Sequence, residues 1–278
     1  MKIAILSGKG GTGKTFVAVN LASVAGACTY LDCDVEEPNG RLFLKPQNVC
    51  ETEVVHMMPQ IDAAKCVGCR ACVQFCRFGA LAFIGKKPLL AEKVCHACGA
   101  CAYICPVNAI SETQYAIGVI ERGTANSIDV RTGRLNIGEA SGVPIIRALL
   151  DGADMEEDIL IDSPPGTACA AMECVRAADL CVLVAEPTIY GAHNLAMAAE
   201  LCEVLQKPRV VVLNKCVEGG NPSEKYCVEH GIPIVSRIPY DAALGRIGSD
   251  GSVAVRRLAW VKALFEQLLA DLRRAVDA

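Results

Sequence analysis

Two groups of residues in this sequence combine side-chain types and spacings that can do chemistry. The segment 8–15, Gly-Lys-Gly-Gly-Thr-Gly-Lys-Thr, fits the pattern G-x-x-x-x-G-K-[ST]. Eight cysteines between Cys66 and Cys105 form two C-x2-C-x2-C-x3-C runs. Glycine-rich loops bind phosphate through free backbone N–H groups, and closely spaced thiolates bind metals. The sequence therefore predicts a nucleotide site and a metal centre in one chain.

The glycine-rich loop follows a short apolar run and opens a helical pattern, which is the context that the motif requires. We expect Lys14 to neutralise the β- and γ-phosphates of a nucleotide and the Thr15 hydroxyl to ligate Mg²⁺. The N-terminus of the helix adds its positive dipole end. The residues predicted to contact the nucleotide here are Gly8, Lys9, Gly10, Gly11, Thr12, Gly13, Lys14, Thr15 and Phe16.

The cysteine runs repeat internally, since each cysteine from Cys66 onward recurs 29 residues later, beginning at Cys95. This spacing is typical of bacterial ferredoxins with two [4Fe–4S] clusters, in which the fourth cysteine of each run ligates the other cluster. Cluster one is then expected to bind Cys66, Cys69, Cys72 and Cys105, and cluster two Cys95, Cys98, Cys101 and Cys76.

Zinc is the competing metal, because C-x2-C pairs also build four-cysteine zinc sites. A third cysteine three positions further on, in both runs, favours a cubane over a single tetrahedral ion. Arg77 stands where the second run has Pro106, a departure that we do not expect to prevent cluster assembly.

The elements that position both groups follow from the apolar pattern. Continuous apolar runs alternate with helical patterns, which predicts an α/β fold with a mostly parallel sheet covered by helices on both faces. The predicted strands are 3–6, 30–31, 159–161, 180–185, 210–213 and 234–235, and the predicted helices 14–25, 168–177, 192–205, 224–230 and 253–276.

The cysteine-rich stretch interrupts this alternation. We expect residues 61–111 to form a small inserted ferredoxin-like domain, and residues 1–60 and 112–278 to form the P-loop ATPase domain. The insert is placed between two edge segments of the sheet, near Val54-Val55 and Val119-Ile120.

Lys9 makes the loop more specific. Lys-Gly-Gly-Thr-Gly-Lys-Thr resembles the deviant Walker A signature of the MinD, ParA and nitrogenase iron protein superfamily, in which the early lysine reaches a dimer partner's nucleotide. Further similar segments cover the chain outside the insert: Asp32-Cys33-Asp34 with Pro38 (switch I), 162–167 (switch II), Glu186-Pro187-Thr188, Asn214-Lys215 and Ile238-Pro239-Tyr240-Asp241.

The resemblance implies roles for individual residues. Asp34 would orient or activate the attacking water, and Asp162 would hold Mg²⁺ through water. Asn214 would contact adenine, flanked by Pro239 and Asp241. With Lys9 and Lys14, the two aspartates make up the expected catalytic set. The resemblance also implies ATP and Mg²⁺ as cofactors and a homodimer in the ATP state.

Three other features have both a functional and a structural interpretation. Cys169 follows Asp162 by seven residues, the displacement of a cluster-ligating cysteine in the nitrogenase iron protein, but packing or an interface is the favoured role. His96 and His193 are isolated, which favours solvated or capping roles. The C-terminal helix has one apolar stripe and mixed charge, which favours packing on the sheet over membrane binding.

Composition excludes several classes of protein. Apolar residues make up 52% of the 278 residues and charged residues 21%, which argues against a disordered chain. The net charge of −4 argues against a nucleic-acid partner. Seventeen cysteines without an export signal predict a reducing, cytoplasmic compartment, and the apolar runs are too short for integral membrane association.

Three functions fit these expectations. The favoured one is an ATP-driven dimeric switch that gates electron transfer from two [4Fe–4S] clusters to a partner metalloprotein. An ATPase that matures or carries iron–sulfur or metal cofactors is the alternative. A MinD-like positioning switch with structural or sensory clusters is the third.

Overall fold

The computed structural model describes residues 1–85, 87–153 and 158–277. Lys86, 154–157 and Ala278 fall within the predicted domains but lie outside the described residues. The strands are β1 (Lys2–Leu6), β2 (Cys28–Asp32), β3 (Gln47–Ile61), β4 (Leu81–Ile84), β5 (Lys87–Leu90), β6 (Ile110–Ala125), β7 (Ile128–Leu135), β8 (Asp158–Asp162), β9 (Leu180–Ala185), β10 (Arg209–Cys216) and β11 (Ile234–Pro239).

Helices connect most of these strands, and two short 3₁₀ turns lie at Glu92–Val94 and Ala254–Arg256. The helices are α1 (Lys14–Ala25), α2 (Gly40–Leu44), α3 (Ala71–Phe75), α4 (Ala100–Tyr103), α5 (Val143–Asp151), α6 (Cys169–Ala177), α7 (Ile189–Val204), α8 (Pro222–Glu229), α9 (Ala242–Ser249) and α10 (Ala259–Asp277).

One large sheet organises the molecule. Within the described part of the chain it has nine strands, in the order β11-β10-β9-β1-β8-β2-β7-β6-β3. The strands from β11 to β7 are parallel, and β6 and β3 add an antiparallel pair at one edge. The predicted α/β fold with a mostly parallel sheet is therefore confirmed.

Alternating side chains of β1 divide the core into two layers. Ile3 and Ile5 belong to the layer that contains α1 and α10, whereas Ala4 and Leu6 belong to the layer with α5, α6 and α7. Helices thus cover both faces of the sheet, which explains why its central strands are continuous apolar runs.

Four helices start at other residues than the sequence predicts: α6 begins one residue later and α8 two residues earlier, and the shifts of α7 and α10 are larger. α7 begins at Ile189 rather than residue 192, because the Thr188 hydroxyl accepts a hydrogen bond from the Gly191 N–H and caps the helix. α10 begins at Ala259 rather than residue 253. The preceding 3₁₀ turn is held by Asn20, whose side-chain oxygen accepts the Val255 N–H. The apolar stripe of α10 packs on the sheet as predicted, with Val261, Phe265, Leu268 and Leu272 buried.

The cysteine-rich segment is carried by a long antiparallel arm. β3 and β6 pair from Gln47 and Thr124 to Ile61 and Ile110, whereas β7 accompanies β6 only from Gly118 onward. The arm therefore extends beyond the main sheet. Residues 62–109, called the insert below, connect its two strands and include the separate hairpin of β4 and β5.

Candidate functional site

The carboxyl ends of the central parallel strands form the first candidate site. In the pairing of β2 with β8, Asp32 lies directly opposite Asp162, and both side chains are fully buried. The glycine-rich loop leaves β1 beside them and leads into α1. Open parallel sheets bind ligands at this edge, so strand order alone assembles the loop and the two aspartates.

The loop is shaped by two glycines with positive φ, Gly11 at 80° and Gly13 at 97°. A Cβ atom added at Gly13 would lie 2.2 Å from Nδ2 of Asn214, so this position also lacks space for a side chain. Lys14 is only 6% exposed, so its ammonium group is held at the site rather than in solvent. A crevice of about 630 Å³ opens here, lined by Gly10, Gly11, Lys14, Thr15, Asp34 and Pro164.

Several buried polar atoms belong to residues one or two positions along the chain from those that line this crevice. Among the described residues, Thr12 Oγ1, Asp162 Oδ1 and Ser163 Oγ have no hydrogen-bond partner. Burial raises the pKa of Asp162, although the Lys14 charge and the neighbouring Thr15 hydroxyl oppose this. Buried oxygens left without partners are costly, so the site fits a hydrated Mg²⁺ ion and phosphate oxygens that would supply them.

Asp34 lies just beyond the end of β2 and lines the same crevice. Burial raises the pKa of its carboxyl to about 6, while the Lys14 charge pulls it down and Asp162 adds to the rise. A carboxylate with a pKa close to neutral is suited to accept a proton from water or to orient it.

A second crevice of about 640 Å³ adjoins the first through Gly13 and Phe16 and is lined by Asn214, Pro239, Tyr240 and Asp241. Asn214 donates from Nδ2 to the Thr12 carbonyl at 2.8 Å and accepts the Lys215 N–H at 2.9 Å. Its amide supports the loop first and retains one N–H for a base. Asp241 caps α9 by accepting the Ala243 N–H at 2.7 Å.

Lys9 is engaged within its own chain. Its Nζ lies 3.1 Å from Oε2 of Glu186, while Lys215 Nζ lies 2.5 Å from Oε1 of the same carboxylate and 2.9 Å from the Gly11 carbonyl. Burial opposes ionisation of Glu186, but hydrogen bonds from Lys215 and Lys9 outweigh it and lower its pKa. Glu186 lies in one of the segments that resemble the family, but its place in the sequence indicates no role.

The insert repeats in structure as it does in sequence. Left-handed φ angles occur at Gly68, Arg70 and Gly79 in the first half, and at Ala97, Gly99 and Asn108, each 29 residues later, in the second. The short helices α3 and α4 begin at Ala71 and Ala100, with the same offset. Two glycines of one half thus correspond to non-glycine residues of the other, so the two loops share a path although their sequences differ.

Each half of the insert contributes cysteines to two cavities. Backbone N–H groups of Ala97 and Ala109 donate to Sγ of Cys95 and Cys105, at 3.4 and 3.2 Å. The first cavity is lined by Cys66, Cys69, Cys72 and Cys105. The second is lined by Cys76, Cys95, Cys98 and Cys101, and also by Cys72, which lines both cavities.

In the described residues, no three His, Cys, Asp or Glu side chains are close enough together to hold one metal ion. A four-cysteine zinc site requires all its sulfurs within bonding distance of a single atom. A cubane instead binds one thiolate at each of four separate irons, which needs a ring of cysteines around a cavity.

A groove of about 470 Å³ separates the insert from the sheet domain. Cys95, His96 and Cys98 line it on the insert side, where the His96 ring stacks on Phe78 with centroids 3.9 Å apart. Cys169 and Met172 line it on the side of α6, which begins directly after switch II. Cys169 is exposed, and His193 is exposed elsewhere on α7.

The model of the CobQ/CobB/MinD/ParA nucleotide binding domain matches residues 3–255 of this chain. The chain belongs to this family. The match spans the P-loop crevice and both flanking layers of the sheet, so the resemblance to MinD and ParA proteins is confirmed.

Members of known structure share the fold. The chain resembles the cell division ATPase MinD of Pyrococcus furiosus, with a TM-score of 0.62, 19% identity and 98% of each chain covered. The septum site-determining protein MinD of Pyrococcus horikoshii, solved with Mg-ADP, has a TM-score of 0.60 and 17% identity, covering 98% of this chain and 95% of that one.

In sequence, the chain is 30% identical over 274 residues to the uncharacterized protein MJ0578 of Methanocaldococcus jannaschii, with 96% of each chain covered. This similarity extends through the insert, because it spans nearly the whole length. None of the helices that the structure describes is long and apolar enough to cross a bilayer.

Proposed function

We propose that this protein is an ATPase whose nucleotide-driven switching is coupled to two [4Fe–4S] clusters in the insert. A low-potential donor would reduce the insert one electron at a time, and a partner metalloprotein would accept each electron in turn. The observation that carries the proposal is a pair of cysteine-lined cavities, one of which opens on the groove beside switch II.

The insert supports cluster binding through its own residues. The first cavity combines three cysteines of the first run with the fourth of the second, and the second cavity combines three cysteines of the second run with Cys76 and Cys72 of the first, so each space has the four thiolates that a cluster needs. The N–H groups directed at Cys95 and Cys105 would partly neutralise thiolate charge. Bound there, [4Fe–4S] clusters supply one-electron transfer.

The ATPase side is supported by the P-loop crevice. Lys14 would hold the phosphates, Thr15 and Asp162 would hold Mg²⁺, and Asp34 would orient the attacking water. Asn214, Pro239 and Asp241 line the space next to the loop where a base would lie. The reduced thiols required for cluster binding favour a cytoplasmic location.

Coupling would run through the groove. Switch II, residues 162–167, leads directly into α6, whose Cys169 and Met172 line the groove opposite Cys95 and Cys98. The Gly166 N–H is bonded to the Ser7 carbonyl at 3.0 Å, so movement of the phosphate loop reaches the segment before α6. A nucleotide-dependent shift of α6 would therefore change the surroundings of cluster two more than those of cluster one.

An anaerobic redox titration tests this coupling, with no nucleotide, with Mg-ADP, and with Mg-ATP bound to an Asp34→Ala variant that retains ATP. We expect the midpoint of cluster two to shift by about 60 mV, which corresponds to tenfold in ATP affinity by linkage. Lys14→Ala, expected to bind nucleotide much more weakly, is the matched control. Identical midpoints in all three states would reject gating, and transfer of iron to an apo-acceptor would favour a maturation role.

The homodimer proposed for the ATP state requires Lys9 to leave Glu186. In a Glu186→Gln variant the lysine loses its ionic partner, so we expect ATP-driven dimerisation at about two- to fivefold lower protein concentration. Analytical ultracentrifugation with Mg-ATP measures this. Glu203→Gln, which breaks the ion pair with Arg209 away from the crevice, should leave dimerisation unchanged. Weaker dimerisation of the Glu186 variant would show that this carboxylate acts within the dimer instead.

A further inference from the structure

Tyr30 is a buried polar side chain to which the sequence analysis assigned no function. It lies in β2 with its ring in the core layer of α1 and α10, and it is fully buried. A buried phenol needs a hydrogen-bond partner. The Tyr30 hydroxyl donates to Oδ2 of Asp162 at 2.9 Å, across 132 positions of the chain.

This bond divides the Asp162 carboxylate into two unlike oxygens. Oδ2 is held by Tyr30, whereas Oδ1 is buried and, among the described residues, has no partner. The Thr15 hydroxyl adjoins the same carboxylate. A carboxylate with one oxygen anchored presents the other in a defined direction, which is what a water-mediated Mg²⁺ contact needs.

The Tyr30 hydroxyl also lies against the chain at Gly40, two residues after Pro38 of switch I. A Cβ atom added at Gly40, where α2 begins, would lie 2.2 Å from the Tyr30 oxygen, so the chain passes directly over the hydroxyl. The Gly40 N–H donates to Oδ2 of the neighbouring Asp32 at 2.8 Å. The chain that follows switch I is therefore held beside the point where Asp162 is anchored.

The charges around this point favour a cation. Asp162 faces Lys14 from α1 and the carboxylates of Asp32 and Asp34 from β2 and switch I. Three acidic side chains near one lysine in a buried place offer the oxygen ligands that a divalent ion prefers.

We propose that Tyr30 is a positioning residue of the Mg²⁺–nucleotide site, which anchors Asp162 Oδ2 so that Oδ1 serves the metal. This inference rests on the proposed nucleotide function. It assigns Tyr30 no contact with the nucleotide, so the phosphates should bind without it and only the contribution of Mg²⁺ should suffer.

The test compares full-length wild type, Tyr30→Phe and Tyr115→Phe. The control removes another hydroxyl-to-carboxylate bond, the one from Tyr115 to Glu139, outside the nucleotide crevice. Affinity for a fluorescent ATP analogue is measured in Mg²⁺ and in EDTA, and thermal unfolding is followed without ligand. We expect Tyr30→Phe to bind the analogue as tightly as wild type in EDTA. The factor by which Mg²⁺ increases its affinity should be about tenfold smaller than in wild type. In Tyr115→Phe this factor should be unchanged.

An unchanged or larger gain from Mg²⁺ in Tyr30→Phe would overturn the proposal, as would an equal loss of affinity in Mg²⁺ and EDTA. If wild type binds no ATP analogue at all, the proposed function itself fails. Should Tyr30→Phe not fold, Gly40→Ala provides the second test, because its methyl group displaces the phenol. It is expected to reduce the Mg²⁺ gain in the same direction, and a normal gain would count against the proposal.

Discussion

Protein purified under anaerobic conditions is expected to contain about eight iron atoms and eight acid-labile sulfides per chain. The reason is that one cavity is lined by Cys66, Cys69, Cys72 and Cys105 and the other by Cys76, Cys95, Cys98 and Cys101, the two sets of ligands that the sequence predicts. Iron and sulfide analysis measures this directly. About two zinc ions per chain without sulfide would contradict the assignment. Cys50→Ala, an exposed cysteine outside the insert, is the control that should keep all eight irons.

Double variants determine whether ligation crosses between the runs. If Cys66 and Cys105 bind one cluster, the Cys66→Ala/Cys105→Ala variant disrupts that cluster alone and retains about four irons. The Cys66→Ala/Cys76→Ala variant then disrupts both clusters and retains almost none. Ligation within each run would reverse the two results. Iron counts therefore distinguish the arrangements without any assignment of spectra.

Replacing Lys14 with alanine should weaken nucleotide binding by about a hundredfold or more, because its charge is buried at the phosphate crevice. Lys9→Ala should keep appreciable binding by the monomer but lose ATP-driven dimerisation and hydrolysis, since Lys9 is 40% exposed and does not line the P-loop crevice. Binding titrations and sizing with Mg-ATP measure both. Lys207→Ala, which loses only a bond to the Ala178 carbonyl, should behave as wild type.

The two lysine variants test separate parts of the proposal. If Lys9→Ala dimerises normally, the lysine does not act across a dimer. If Lys14→Ala binds ATP as wild type does, the P-loop crevice is not the nucleotide site. Asp34→Ala extends the series: it should bind ATP and accumulate the dimer, because water positioning is lost while phosphate contacts remain.

Local sequence was sufficient for the two motifs and for several elements, but β7, α5 and α9 were not predicted. The helix from Lys14 to Ala25 and the strand from Leu180 to Ala185 have the predicted ends, because apolar periodicity and turn-forming glycines act over a few residues. The cysteine spacing likewise predicted two matching halves, since the offset of 29 residues is readable in sequence and recurs in the left-handed positions of the loops.

Contacts between segments that are distant in sequence could be identified only from the folded structure. In the sequence, Tyr30 is one more residue of a buried strand. Its hydrogen bond to Asp162 is seen only in the structure, because the parallel register brings β8 beside β2. The pairing of Lys9 with Glu186 and the groove between Cys98 and Cys169 depend in the same way on strand order and on the length of the β3–β6 arm. A motif can be recognised from the spacing of its residues along the chain. The residues that contact it in space depend on the order in which the strands join the sheet.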